Sequence, residues 1–223
     1  MVFELFKSGP PSQVELIEAE ITEMLSTTGK TLQMAFDALA RRVEPEEVGD
    51  ALRSKDRSIN RVERSIRRQL VVHAGVRGSE VDLPMLLVYM SIAKDIERVG
   101  DIAKDLWDLA AAGADMSQGE DLAKVDEEAG TIARLISDTA RIYGDRDTEG
   151  AVEILNQADE LTDGYEAEML AQLSAVDVRL AVTRALYYRY LMRVTAHLMN
   201  VLTAVVMPFH RLDYWDEDKI DRE

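Results

Sequence analysis

The chain has 223 residues, 47% of them hydrophobic, which is enough for one large domain or two of about 100 residues each. Its 26 basic and 42 acidic side chains leave a net charge of −16, so nucleic acid and anionic lipid are repelled unless a local basic patch intervenes. There is no cysteine, which excludes disulfides, thiolate metal sites and cysteine nucleophiles and suits a reducing compartment. Residues 1–11 read as an N-terminal arm. Its apolar run (Val2, Phe3, Leu5, Phe6) is too short for a signal peptide, and Glu4 interrupts it. Pro10 and Pro11 break it, and Ser12 to Glu15 has the form of a capping box. Apolar spacing from Val14 through Ile17, Ile21, Leu32 and Leu39 predicts a first helix to about Arg42. Pro45, Glu46 and Glu47 open a second, to about His73. Gly75 and Gly78 place a loop at 74–80. Asp82 as cap and Pro84 in the first turn start a third helix, to about Ala112. Residues 113–119 form a boundary, within which Ser117 to Glu120 reads as a second capping box. A fourth helix is expected from Glu120 to Tyr143, with a turn at 144–147. The fifth runs from Thr148 to about Leu173, and the sixth from Asp177 to about Met207, where Pro208 ends it.

Six long helices in two sets of three suggest an internal repeat. Val81-Asp82-Leu83 recurs as Val176-Asp177-Val178, an offset of 95 that also aligns Arg98-Val99 with Arg193-Val194. One helix earlier, Asp56, Asn60 and Glu63 align with Asp159, Asp163 and Glu166 at an offset of 103. The expected fold is therefore all-α: two tandem three-helix bundles at 12–112 and 118–210, with an acidic, aromatic tail at 211–223. No run approaches the ~18 apolar residues of a membrane span, and a cytoplasmic protein without membrane insertion is expected.

The third helix carries the most informative stretch. Ile92, Ile96, Val99, Ala103, Leu106 and Ala110 form an apolar stripe. Beside it, Glu97 and Asp101 stand four apart, hence on one face, where like charges repel unless a cation lies between them. Gly100 in mid-helix costs about 1 kcal/mol relative to Ala, and close approach of a neighbouring helix is a reason for it. Carboxylate and amide oxygens suit hard cations. Lys94 and Lys104 offer a plainer reading, pairing the acids in a solvated stripe.

Three further features bear on function. Arg57, Arg61, Arg64, Arg67 and Arg68 form a basic run on the second helix, read as a solvated face paired with Asp56 and Glu63, so no nucleic-acid partner is expected. His197, among Val194, Leu198 and Val201, reads as a hydrogen-bonded core histidine. Tyr187, Tyr188 and Tyr190 cannot all face one core, which suggests a homodimer. Catalysis is not expected: the chain has no paired Glu-x-x-His, phosphate-binding glycine loop, nucleophile elbow or HExxH.

The block Asp95-Ile96-Glu97-Arg98-Val99-Gly100-Asp101, the Asp-x2-Ile-Asn-x2-Glu string at 56–63 and the two-by-three helical layout resemble the PhoU family of phosphate-uptake regulators. The resemblance implies an all-helical regulator that restrains phosphate uptake and phosphate-starvation signalling. Its implied partners are the ATPase of a phosphate transporter and a sensor histidine kinase. It also implies a surface site for iron, manganese or magnesium, with Asp56, Asn60, Glu97 and Asp101 as ligands in the first repeat. In the second repeat Asp159 and Asp163 match, but the partners of Glu97 and Asp101 are Met192 and Ala196, so a full second cluster is not expected. The alternatives are a metal-free adaptor for another transporter or kinase, and an oxygen-ligated metal-binding or storage protein.

Overall fold

The computed structural model describes residues 12–77, 83–213 and 215. The order is α1 (Gln13–Leu39), α2 (Pro45–Arg77), α3 (Leu83–Ala111), α4 (Gly119–Asp145), α5 (Thr148–Ala171) and α6 (Val178–Val206), with short 3₁₀ turns after α5 and α6 and no strand among the described residues. The expected N-terminal arm, the Asp82 cap and most of the acidic tail lie outside the described residues.

Local chemistry fixes most of the helix ends. The Ser12 box forms: Ser12 N–H donates to Glu15 Oε2 at 2.7 Å, and Glu15 N–H donates to Ser12 Oγ at 3.2 Å. Asp147 and Asp177 cap α5 and α6, accepting from Gly150 N–H at 2.9 Å and Leu180 N–H at 3.0 Å. The box expected at Ser117 does not form. Gln118 occupies the N-cap without a side-chain bond, because Ser117 N–H is taken by Asp115 Oδ1 at 2.9 Å. Helix α2 runs through Gly75 to Arg77, past the expected end at His73, and α4 runs through Gly144. The turn after α4 is made instead by Arg146, in the left-handed region at φ 55°.

Among the described residues, α2 packs chiefly on α1 and α3, and α5 chiefly on α6 and α4; α1 meets α4 and α3 meets α6. The order across the molecule is thus α2, then α1 with α3, then α4 with α6, then α5. The two halves share one continuous apolar core. Tyr187 and Tyr188 are buried in it, and Tyr190, half-buried against it, alone keeps partial exposure, so the three do not form a large aromatic surface.

Gly100 has the expected cause. A Cβ there would stand 3.0 Å from Ile59 Cδ1 of α2. A tighter contact, absent from the sequence reading, is at Gly49, where a Cβ would meet Trp107 Cζ2 at 2.6 Å. The Trp107 ring is held in place: its indole N–H donates to Pro45 O at 2.8 Å, and the Arg53 guanidinium lies 4.5 Å over the ring.

Candidate acidic site between helices α2 and α3

The 3.6-residue period that buries Ile59 and Ile66 of α2, and Ile96, Val99 and Ala103 of α3, turns Asp56 and Asn60 toward the side from which Glu97 and Asp101 rise. The four are half-buried. Asn60 Nδ2 donates to Asp56 Oδ2 at 3.4 Å. Burial, and then the charges of Asp101 and Glu97, push the Asp56 carboxyl above its ordinary value; Lys104 opposes this. Burial and then Glu97 do the same to Asp101, against Arg98, Lys94 and Lys104. The three carboxylates therefore share one electrostatic field, and the surrounding cations do not fully neutralise it. Lys94 Nζ donates to Glu97 Oε2 at 2.5 Å, Arg98 lies 3.4 Å from Asp101, and Lys104 turns mainly to Asp108 at 3.4 Å.

The donor set has the chemistry of a hard-cation site, but its arrangement does not fit one. Among the described residues no three acidic or histidine side chains converge to hold an ion, and Lys94 already occupies Glu97. In the second half Asp159 is half-buried and Asp163 exposed on α5, and the corresponding α6 positions are the half-buried Met192 and Ala196. The structure brings together the first set and not the second.

Sequence reading overlooked two polar clusters. Asp95 of α3 is buried and accepts from Asn200 Nδ2 at 3.1 Å, with His197 Nδ1 at 2.9 Å, tying the halves together. His197 is thus hydrogen-bonded, as its surroundings suggested. The signal for Asp95 was its register: three after Ile92 and four before Val99, inside the apolar stripe. The other cluster is in the second half, where Tyr165 Oη donates to the buried Glu128 at 2.5 Å. Burial raises the pKa of Glu128, and this bond partly opposes the rise.

Comparison with known proteins places these features. Residues 21–110, which include α2 and the acidic site, match the model of the PhoU domain. The chain is 34% identical over 102 residues to the phosphate-specific transport system accessory protein PhoU homolog 1 of Thermotoga maritima; the match covers 46% of this chain and 42% of that protein's length. The fold is similar to the crystal structure of PhoU from Pseudomonas aeruginosa (TM-score 0.75, 19% identity, 86% of this chain and 95% of that one). It is also similar to that of the phosphate transport system regulatory protein PhoU from Streptococcus pneumoniae (TM-score 0.73, 15% identity, 85% and 91%). Residues 21–110 thus match a PhoU domain in sequence, and the chain as a whole is similar in its all-helical fold to PhoU structures.

Proposed function

We propose that the protein is a regulator of phosphate transport that acts by contact rather than by turnover. The observation that carries this is the sequence match across α1 to α3 to the PhoU domain and to a phosphate-transport accessory protein. The site chemistry agrees with it: the acids of α2 and α3 face lysines and one another. No helix among the described residues is long and apolar enough to cross a membrane, which suits a cytoplasmic protein that meets its transporter from outside the bilayer. The partners proposed are the transporter's ATPase subunit and a phosphate-sensing histidine kinase. The test is deletion in the host, followed by measurement of labelled phosphate uptake and of a phosphate-starvation reporter in phosphate-replete medium. Both should rise and should return to normal when the intact chain is restored. Unchanged uptake and reporter, with altered transport of some other solute, would assign the protein to a different transporter.

A further inference from the structure

The arginines of α2 are not scattered. Arg53, Arg57, Arg61, Arg64 and Arg68 follow at intervals of four, four, three and four, and at 100° per residue they fall within about 80° of arc. All five are exposed, opposite the buried Leu52, Ile59 and Ile66. The stripe is about 22 Å long at 1.5 Å per residue. The solvated-face reading requires acids to pair it, and few do. Arg53 meets Asp50 at 3.7 Å, and Glu63 is taken by Arg67, which lies off the stripe, at 2.6 Å. Arg57, Arg61, Arg64 and Arg68 make no ion pair with a described residue, although Arg57 is near enough to Asp56 to lower its pKa. Past Arg68 the exposed surface of the same helix turns apolar: Val71, Val72 and Val76 are 64%, 57% and 81% exposed.

We propose that the outer face of α2 docks on an anionic lipid surface, with the arginine stripe on the headgroups and the valines at the interface. The net charge of −16 does not prevent this. Screening at physiological ionic strength acts over about 8 Å. The acid-rich α5 lies on the far side of two intervening helix layers, each about 10 Å deep. Local charge therefore decides the approach, and the remote acids orient the molecule with α2 toward the surface. Three exposed valines gain nothing against the phosphates of nucleic acid but can enter a lipid interface. A peptide partner would need a groove with apolar pockets. The face is one convex helix, and the cavities described lie around α4 to α6.

The test is co-sedimentation of the full chain with vesicles of phosphatidylcholine alone, or of phosphatidylcholine and phosphatidylglycerol in equal parts. Binding is expected only to the anionic vesicles, and it should weaken as salt is raised. The double variant Arg61→Glu, Arg64→Glu should lose at least about tenfold in partitioning. Val72→Asp with Val76→Asp should also weaken binding while keeping its salt dependence. All four positions are exposed, so thermal melts should be unchanged and a folding defect would be visible separately. Failure to bind anionic vesicles, or binding unaffected by the arginine pair, overturns the proposal. So does competition by polyglutamate or duplex DNA as strong as that by free anionic vesicles, which would make the stripe a general polyanion site.

Discussion

The outer helices α2 and α5 occupy equivalent places in the two halves yet differ in chemistry. Helix α2 has eight basic and five acidic side chains, whereas α5 has seven acids and no base. Their inner partners differ in the same sense. Helix α3 presents Glu97, Asp101 and their lysines, where α6 presents Met192 and Ala196. The repeat thus conserves packing geometry and frees surface chemistry to diverge. The apolar period is constrained by the shared core, and nothing comparable holds an exposed charge in place. The half that matches the PhoU domain in sequence is also the half with the charge-bearing α2–α3 pair.

The largest test of this difference is steric. Gly49 is held against Trp107, but its repeat equivalent is Val152, which is exposed. Gly49→Ala should destabilise by about 1–3 kcal/mol, because the ring is fixed by its bond to Pro45 O and overpacking cannot relax. Gly100→Ala should be near neutral. The displaced atom is the tip of Ile59, and about 1 kcal/mol of helix propensity is recovered. Urea denaturation of both variants decides it, and equal losses would refute the distinction.

An effect of similar size is expected at the seam between the halves. Asp95→Ala leaves His197 and Asn200 without their acceptor and should cost about 1–3 kcal/mol. Native-state hydrogen exchange should show α3 and α6 opening together more readily. A loss confined to α3 would show that the seam is held by apolar packing alone.

These two sites show what could be read from the chain. The helices were legible because their apolar periods and two of their starts, Ser12 and Asp177, are local signals, whereas Asp147, read as part of a turn, proved to be the cap of α5. The Ser117 cap failed because a competing acceptor, Asp115, lay two residues upstream, and sequence pattern does not rank acceptors. The acids of the first half could be placed on shared faces from spacing alone. That Lys94 pairs Glu97 while Lys104 turns toward Asp108 depends on side-chain rotamers. The Gly49–Trp107 contact joins residues 58 apart and carries no periodic signal.

Metal loading sharpens the comparison further. If Lys94 stands in the place of a cation, Lys94→Ala should gain more thermal stability from Mn²⁺ than the wild type does. The gain is about 1.4 kcal/mol at ten times the dissociation constant. Adding Asp101→Ala should abolish it, while adding Asp163→Ala should not. No shift in any variant would mean that the cluster serves only as a lysine-paired surface.

The smallest expected effect is electrostatic, and its sign depends on pH. Asp56 and Asp101 have folded pKa values above their ordinary value, from burial first and then from neighbouring acids. Each therefore binds its proton more tightly folded than unfolded. Their contribution to stability is fully present below the unfolded value of 3.8 and is lost as pH rises through the folded values. At pH 7 both are charged and repel. Asp101→Asn removes that repulsion and also the exposed pair with Arg98, which is worth about 0–1 kcal/mol. The variant should be more stable than wild type by a few tenths of a kcal/mol at pH 7, and the advantage should vanish near pH 4. The sharper readout is the neighbour. With the Asp101 charge gone, the Asp56 carboxyl should titrate at lower pH in a side-chain NMR titration. An unmoved Asp56 would show that the two carboxylates do not share a field, and the contrast between the halves would then be one of composition alone.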